Sequence, residues 1–447
     1  MYILTNGKLI TRDPAAKGYY EHGAVVFEGT KIVEVGDAAA LAAKYPQAEK
    51  IDARGGVIMP ALINAHTHIY SALARGLSIA GNNPTNFFEV LDGTWWAIDR
   101  HLTLEGTRAS ADALYIDCIK QGVTTIFDHH ASYCEIPGSL FQIAESAKKF
   151  GVRSCLCYEV SDRDGEEKCL EAIKENADWI TWCKEHNDPM LAAMFGGHAL
   201  FTISDKTFDR MVEANNGRTG YHIHVSEGMN DVYDSLQNYG RRPVQRLQDH
   251  GILGEKTILG HCIHVNTAEM EIIRETGTMV VNNPESNMGN AIGICPVLQL
   301  YKRGILLGMG TDAYTNDMLE SLKVALCSQR SQNCLPNVGW CEVTDMLFKN
   351  NARIGAKYFP DELGVLKAGA AADIIVMDYK PFTPFSDENI DGHMIFGMTG
   401  RQCQTTIAAG KVLMRDRELV GIDEEAENAH ILEAAKKLWG SLNHREY

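Results

Sequence analysis

The stretch Val57-Ile-Met-Pro-Ala-Leu-Ile-Asn-Ala-His66-Thr-His68 is an almost continuous apolar run that ends in two histidines. Seven later runs have the same form: each has about the length of a strand and is mostly apolar without clean alternation. They are Val123–His129, Val152–Glu159, Leu191–His198, Gly220–Glu227, Thr257–His261, Met279–Asn283 and Ile305–Asp312. This pattern is typical of strands that are buried on both faces, as in a parallel sheet.

Amphipathic segments separate these runs and predict helices. Leu104–Lys120 and Glu166–Lys184 have helical patterns, and Asn266–Glu269 reads as a capping box that begins a further helix. Strands that alternate with helices in this way predict an α/β fold, a (β/α)8 TIM-like barrel. Active sites of such barrels lie at the carboxyl ends of the strands. Because each run here ends in polar residues, we expect these side chains to meet at one rim.

The two ends of the chain have a different pattern. Short strand-like stretches occur at Met1–Leu4, Gly23–Glu28, Lys31–Val35, Ala372–Met377 and Gln404–Met414. We expect them to pair into one small β-sandwich beside the barrel. The predicted domains are 1–56 and 369–420 for the two parts of the β-sandwich, 57–368 for the hydrolase barrel and 421–447 for a C-terminal helix.

Charge and composition exclude several classes of partner. The formal net charge of −16 argues against nucleic acid or an anionic membrane surface as the main partner. No apolar run reaches the roughly 20 residues that cross a bilayer, and the first residues lack the features of a signal peptide. The twelve cysteines form no CxxC pair, which is typical of reduced thiols packed as small hydrophobic groups. We therefore expect a cytoplasmic protein.

The strand ends also carry the side chains of a metal site. His66 and His68 lie two residues apart on a strand, so both imidazoles point to the same face and reach one ion. Later strand ends add further candidates: His222, His224, Glu227, His261, His264 and Asp312. Imidazole nitrogen and carboxylate oxygen suit zinc or ferrous iron and suit calcium or magnesium poorly. The sequence predicts a divalent metal, zinc before Fe2+, with a coordination position left for water.

Several motifs together resemble the amidohydrolase superfamily. They are Pro60–His68, Gly122–Asp128, His224–Glu227, His261–His264, Asn283–Asn287, Gly310–Asp312 and Gly364–Met377. Within the superfamily the chain is most similar to the triazine-hydrolase and nucleoside-deaminase branch, and more narrowly to the SsnA group of aminohydrolases. The resemblance covers nearly the whole chain, and it implies a metal-dependent hydrolase barrel that forms a homodimer.

The resemblance assigns roles to individual residues. The metal ligands that it implies are His66, His68, His224 and Asp312. Glu227 is then the proton shuttle to the substrate, and His261 orients the attacking water together with Asp312. His198 corresponds to a histidine that contacts substrate in this branch. Related barrels with two metals often bridge them with a lysine on the fourth strand, and Leu191–His198 contains no lysine, which favours one metal.

The sequence departs from the family pattern around the expected pocket mouth. Asn282 stands where relatives have a histidine or serine-histidine, Met288-Gly289 replaces a Lys-Leu pair, and Ala313–Asn316 replaces a Gly-Pro/Ala-Ser-Asn segment. These differences spare the expected metal ligands. They leave the identity of the substrate open.

Other residues have both structural and functional interpretations. Trp95 and Trp96 end an aromatic-rich segment that either packs as a helix on the barrel or forms a wall over a flat ring. Arg163 is a candidate to hold a polar substituent of the substrate. His129 and His130 are weaker candidates for substrate contact. For His222 and His264 the structural interpretation is favoured, and Asp128 is expected to fix backbone or orient a ligand.

The function that this sequence predicts is an aminohydrolase acting on a small purine-, pterin- or pyrimidine-like heterocycle. A metal-activated water attacks the ring carbon that bears an amino group, Glu227 protonates the neighbouring ring nitrogen, and ammonia leaves. One alternative is a cyclic amidohydrolase that opens the ring. Another is a catalytically silent barrel that serves as a scaffold, but such a chain is expected to have lost a ligand, and here every position is filled.

Overall fold

The computed structural model describes residues 1–447. Its strands, in chain order, are β1 Tyr2–Ile10, β2 Tyr19–Glu28, β3 Lys31–Asp37, β4 Glu49–Asp52, β5 Val57–Pro60, β6 Leu62–Thr67, β7 Val123–His130, β8 Arg153–Tyr158, β9 Leu191–Ala193, β10 Phe195–Ala199, β11 Tyr221–Val225, β12 Ile258–His261, β13 Met279–Asn282, β14 Leu307–Met309, β15 Ile374–Met377, β16 Cys403–Ala408, β17 Lys411–Arg415 and β18 Glu418–Leu419.

Helices connect most of these strands. They are α1 Ala38–Lys44, α2 Phe87–Val90, α3 Trp96–Asp99, α4 Leu104–Gln121, α5 Ser139–Phe150, α6 Glu166–His186, α7 Asp205–Asn215, α8 Met229–Tyr239, α9 Pro243–Asp249, α10 Thr267–Thr276, α11 Pro284–Gly289, α12 Val297–Lys302, α13 Met318–Asn333, α14 Trp340–Asp345, α15 Asn351–Gly355, α16 Ile390–Gly397 and α17 Glu424–Asn443. None of them combines the length and the apolar character that crossing a bilayer requires.

Local sequence explains where the helices begin and end. Helix α4 begins after Thr103, whose hydroxyl accepts a hydrogen bond from the Gly106 N–H at 3.1 Å. It ends at Gly122, where φ is +76° and an added Cβ would lie 2.9 Å from the Ile375 side chain. The capping box predicted at Asn266 is confirmed, because its side chain and that of Glu269 bond to each other's backbone N–H.

The repeating apolar runs form two parallel sheets. One has the order β6-β7-β8-β9 and the other β10-β11-β12-β13-β14. Single backbone bridges connect them at both sides, between Thr67 and Asp312 and between Val160 and Gly197. The predicted α/β fold with parallel strands is confirmed, but the ladders do not close into one ring. On one side Asp312, which follows β14 with φ +64°, still exchanges backbone hydrogen bonds with His66 and His68.

Two predicted strands are divided in the structure. The run Leu191–His198 becomes β9 and β10, separated at Met194. The prediction of Val57–His68 as one strand is wrong, because β5 belongs to a different sheet from β6. Strand β5 pairs with β1 and β15, whereas β6 pairs with β7. An apolar pattern alone cannot reveal this change of sheet, which occurs at Ala61.

The two ends of the chain meet in one nine-stranded sheet. Its order is β18-β17-β16-β15-β5-β1-β2-β3, with β4 paired to β1. The two ends therefore pair as expected, whereas the arrangement of these strands as two facing layers of a β-sandwich stays a prediction. The expected C-terminal helix is α17, which begins at the capping residue Asp423.

Candidate active site

The predicted metal ligands converge at the carboxyl ends of the parallel strands. His66 lies in β6 with His68 just beyond it, His224 lies in β11, and Asp312 follows β14. The Asp312 Oδ1 atom is 2.8 Å from His68 Nε2 and 3.4 Å from His66 Nε2. The Nε2 atoms of His68 and His224 are 3.2 Å apart. Asp312 thus lies beside His66 and His68, and His68 lies beside His224. The group whose ligand atoms all lie within 4.8 Å of one another is His66, His224, His261 and Asp312, so His261 joins the predicted ligands there and His68 lies at its edge.

Hydrogen bonds on the far side of each ring fix the orientation of the imidazoles. His68 Nδ1 donates to the His129 carbonyl at 2.6 Å, and His224 Nδ1 donates to the His198 carbonyl at 2.9 Å. His66 Nδ1 lies 2.8 Å from Nε2 of His222. These contacts leave the Nε2 atoms directed at Asp312. They are the outer hydrogen bonds that metal-binding histidines usually make.

The charges at this point fit a divalent cation. His66 Nε2 is fully buried and has no hydrogen-bond partner. Burial lowers the pKa of His66 to about 4 and that of His224 well below its ordinary value, so both rings are neutral. Burial also opposes protonation of His68, but Asp312 overrides it and raises the pKa of His68 to about 9. The space among these side chains therefore favours a positive charge. Imidazole nitrogens with one carboxylate are a donor set that suits a metal ion.

His261 and Asp312 are held in backbone conformations that few residues adopt. Their φ angles are +67° and +64°, a strain of about 1–3 kcal/mol each that is common at functional sites. His261 Nδ1 donates to Asn287 Oδ1 at 2.7 Å. Its Nε2 faces Glu227 Oε1 at 3.7 Å and Asp312 Oδ2 at 3.9 Å. The backbone strain thus places His261 between the two carboxyl groups expected to handle protons.

Glu227 lies on the turn after β11, and its carboxyl group faces the same space. The Asp231 side chain accepts a hydrogen bond from the Ser226 N–H at 2.7 Å and so holds this turn. Burial, followed by the charge of Asp312, raises the pKa of Glu227 well above its ordinary value. A carboxyl group in this environment keeps its proton near neutral pH, as a general acid requires.

A cavity of about 390 Å³ opens above these groups. Its wall includes two of the four predicted substrate-binding residues, His198 and Trp95. The other side chains of the wall are His68, Tyr70, Phe87, Leu91, Glu159, His224, Glu227, Glu285, Ser286, Asn290, Asp312, Ala313, Tyr314 and Thr315, with Gly289. Aromatic rings cover one side, as expected for a pocket that takes a flat ring.

The other two predicted substrate-binding residues lie outside the cavity wall. Arg163 is buried behind Glu159 and forms an ion pair with Asp99 at 3.3 Å from its Nη1. Trp96 packs beneath it, with the Arg163 guanidinium 5.1 Å from its ring. The structure therefore does not place these two side chains with the other candidates, and direct substrate contact by them stays a prediction. A charged or aromatic residue that follows a strand can form buried ion pairs or packing contacts as readily as it can line a pocket.

The structure reveals site residues that the sequence left unassigned. Glu159 follows β8 and lines the cavity; burial raises its pKa to about 7, although Arg163 opposes the shift. Glu285 also lines the cavity, and burial raises its pKa to about 7 as well. The Ser286 hydroxyl donates to Asp312 Oδ2. The sequence did contain signals for these residues. Glu159 is the polar end of a predicted strand, and Glu285 and Ser286 lie within the motif Asn283–Asn287.

The remaining candidates have structural contacts. His129 Nε2 bonds to the Gly197 carbonyl at 2.9 Å, and neither His129 nor His130 lines the cavity. His264 Nε2 bonds to the Ile292 carbonyl at 2.9 Å. Asp128 accepts a hydrogen bond from the Ile69 N–H at 2.7 Å. The structural interpretations favoured for His222, His264 and Asp128 agree with these contacts.

Comparisons with known proteins agree with this site. The model of the Amidohydrolase family matches residues 57–413, and that of the bacterial imidazolonepropionase-like composite domain matches residues 23–48. A 5'-deoxyadenosine deaminase of Methanosarcina mazei is 30% identical over 99% of this chain and 99% of its own length. A 5-methylthioadenosine/S-adenosylhomocysteine deaminase of Thermococcus sibiricus is 31% identical over 87% of this chain and 89% of its own length.

The fold has the same relationship to solved structures. An adenosine deaminase of Xanthomonas campestris with bound zinc superposes with a TM-score of 0.82 at 23% identity, covering 98% of each chain. The narrower similarity to the SsnA group stays a prediction. The family model covers well over half of the 447 residues. The chain belongs to the amidohydrolase family.

Proposed function

We propose that this chain is a metal-dependent aminohydrolase that removes an exocyclic amino group from a small heterocycle, with adenine nucleosides as its first candidate substrates. The proposal depends on one observation: three imidazoles and a carboxylate lie together at the base of a cavity whose wall includes Glu227, and His261 lies beside the two carboxyl groups. The deaminases of adenine nucleosides among the relatives support the choice of substrate.

In this proposal His66, His68, His224 and Asp312 hold one divalent metal, zinc. A bound metal of this kind polarises the substrate and lowers the pKa of water from about 16 towards about 7. His261 and Asp312 orient the attacking water and accept its proton. Glu227 donates its proton to the ring nitrogen next to the attacked carbon. After a second proton reaches the amino group, the C–N bond breaks and ammonia leaves.

The side chains of the cavity wall position the ring. Trp95 and Tyr70 pack edge to face, with ring centroids 6.0 Å apart, and Tyr314 lies 5.0 Å from Trp95. His198 is neutral because burial lowers its pKa well below the ordinary value. It therefore contacts the substrate as an uncharged hydrogen-bonding group, and the aromatic rings hold the plane of the heterocycle.

Ammonia release from a panel of adenosine, 5'-deoxyadenosine, guanine and cytosine tests this proposal. The holoenzyme is expected to release ammonia from at least one adenine nucleoside. Ring opening of a lactam without ammonia would favour the cyclic amidohydrolase instead. A folded, metal-loaded enzyme that acts on no member of the panel and on no ring amide would support the scaffold alternative and contradict the proposal.

We also propose wider features of the protein from its fold and family. The two parallel sheets work as one (β/α)8 barrel over 57–368, flanked by a β-sandwich from 1–56 and 369–420 and by the helix in 421–447. The bridges at both sides of the two sheets support this arrangement. The twelve free cysteines support a reducing compartment, the cytoplasm. Family resemblance supports a homodimer, which sedimentation of the purified protein would test.

A further inference from the structure

Resting on the proposed function, we infer that the cavity selects an uncharged heterocycle rich in hydrogen-bond donors and excludes anionic substrates, and that Glu159 is the specificity-determining residue. Glu159 lies in the wall beside the metal ligands, and one of its carboxylate oxygens lies within 4.8 Å of ligand atoms of His198 and His224. It touches the space in which the substrate must lie. Neither the catalytic roles above nor the metal site uses it.

The cavity wall contains carboxyl groups and imidazoles but no strongly basic side chain. The wall contains four acidic side chains, Glu159, Glu227, Glu285 and Asp312, and no lysine or arginine. Asp312 faces the metal-binding imidazoles, which offset its charge. Glu159 and Glu285 have no such partner in the wall. A phosphate or carboxylate on the substrate would meet acidic groups and no lysine or arginine in this wall, so its charge would be buried without a partner.

Glu159 has acceptor capacity that the protein leaves unused. The residue is 2% exposed. Its closest basic neighbours are Arg163 Nη2 at 3.5 Å, His129 Nδ1 at 3.6 Å and His198 Nε2 at 3.9 Å, and its carboxylate makes no hydrogen bond within the chain. A buried carboxylate without hydrogen-bond donors is costly. A substrate that supplies donors removes this cost.

The neighbouring histidine adds a second acceptor at a useful spacing. His198 Nδ1 bonds to the Thr202 hydroxyl at 2.7 Å, and this hydroxyl itself donates to the Ala199 carbonyl at 3.0 Å. His198 Nδ1 is therefore the donor, and its Nε2 is an acceptor. Two acceptors 3.9 Å apart match a substrate that presents an amino group or two neighbouring donors.

Arg163 cannot swing into the cavity to reverse this preference. Its guanidinium pairs with Asp99, lies 3.3 Å from Asp164, and stacks 4.1 Å from the centre of the Tyr133 ring. Three carboxylates share this one arginine, so the group around it carries no surplus positive charge. Arg163 is a positioning residue that holds Glu159 in the wall from behind.

Binding to the holoenzyme that carries Glu227→Gln tests the inference without turnover. The probes are adenosine, 5'-deoxyadenosine and adenosine 5'-monophosphate, measured by titration calorimetry. Both uncharged nucleosides are expected to bind at least about 10-fold more tightly than the phosphate. Adding Glu159→Gln should weaken adenosine binding about 10- to 100-fold, as for loss of a hydrogen bond to a charged group. It should also narrow the difference in affinity between adenosine and adenosine 5'-monophosphate.

Controls separate this inference from the proposed function. The matched variant Glu145→Gln, on an exposed carboxylate, should change neither affinity. In the active enzyme Glu159→Gln should raise KM more than it lowers kcat. The inference would be overturned if adenosine 5'-monophosphate bound as tightly as the nucleosides, or if neither nucleoside bound. It would also be overturned if Glu159→Gln left the affinity for adenosine unchanged. Binding without ammonia release would contradict only the proposed function. If Glu159→Gln does not fold, the comparison of probes on the Glu227→Gln enzyme alone still decides.

Discussion

Two buried groups of polar side chains lie at opposite ends of the parallel strands, and they are built on opposite principles. At the amino ends, Arg153 pairs with Asp373, which also accepts hydrogen bonds from the Thr124 hydroxyl at 3.2 Å and the Ala409 N–H at 2.6 Å. At the carboxyl ends, the Nε2 atoms of His66 and His68 face the Asp312 carboxylate, and burial lowers the pKa of His66 to about 4, so that ring is neutral. The first group surrounds its carboxylate with hydrogen-bond donors, whereas the second places the neutral rings of His66 and His224 beside its carboxylate, because burial lowers the pKa of both histidines.

This difference separates a structural cluster from a functional one. The Asp373 carboxylate receives hydrogen bonds from Arg153, Thr124 and Ala409, so this buried acceptor needs no cation from outside the chain. A buried carboxylate beside neutral imidazoles favours a cation, either a bound metal or the proton that Asp312 favours on His68 by raising its pKa to about 9. The carboxyl-end group also contains the left-handed residues His261 and Asp312, so the chain tolerates strain there. The comparison predicts that substitutions at the carboxyl ends of the strands change metal binding and turnover. Substitutions at the amino ends are expected to change the free energy of unfolding instead.

Removal of the metal should have the largest effect. Dialysis of the enzyme against a chelator is expected to abolish ammonia release and lower the melting temperature, and added Zn2+ should restore both. A metal present at about 1,000 times its dissociation constant stabilises the folded state by about 4 kcal/mol. Full activity in protein shown to be metal-free would contradict the functional role given to the polar group at the carboxyl ends of the strands.

Glu227→Gln should have the next largest effect. The amide keeps the size of the side chain but cannot donate the acid proton, so kcat is expected to fall about 10²- to 10⁴-fold. Metal content, measured by mass spectrometry, should stay unchanged. The surface substitution Glu145→Gln serves as the control with normal kcat. Retention of most activity in Glu227→Gln would exclude it from proton transfer.

His222→Phe should have an intermediate effect. A phenylalanine ring has no nitrogen with which to bond to His66 Nδ1, which His222 Nε2 contacts at 2.8 Å. Loss of such an outer contact typically weakens metal affinity about 10- to 100-fold. Competition with a fluorescent zinc chelator measures this change. Affinity equal to that of the wild type would mean that His222 only fills space.

Asp373→Ala should affect activity least. It leaves the fully buried Arg153 without its partner, which is expected to lower the free energy of unfolding by about 3–5 kcal/mol. Metal content and kcat at 25 °C should stay close to wild type. Asp178→Ala, which breaks the exposed pair with Lys174, is the matched control and should cost under about 1 kcal/mol. Loss of metal in Asp373→Ala would mean that the two ends are coupled.

The sequence predicted those features that follow from the pattern of the backbone. Apolar runs of strand length indicate parallel strands, and the carboxyl ends of such strands meet at one rim, so His66, His224 and Asp312 could be expected together. The spacing of two residues between His66 and His68 also implied a common face. These arguments need no knowledge of side-chain contacts.

The features that the sequence could not decide depend on tertiary contacts. No apolar pattern distinguishes a strand of one sheet from a strand of the next, so the change of sheet at Ala61 was missed. Whether Arg163 faces the cavity depends on Asp99, 64 residues earlier in the chain. Glu159 was visible as a polar strand end, but its role emerges only once Arg163 is seen behind it.

The metal content of the purified protein tests the central claim most directly. Mass spectrometry of wild-type protein from zinc-supplemented medium is expected to give one divalent ion per chain. The double variant His68→Ala/Asp312→Ala, folded as judged by circular dichroism, should retain less than about a tenth of it. Two ions per chain in the wild type, no ion in a folded sample, or full occupancy in the double variant would contradict the account.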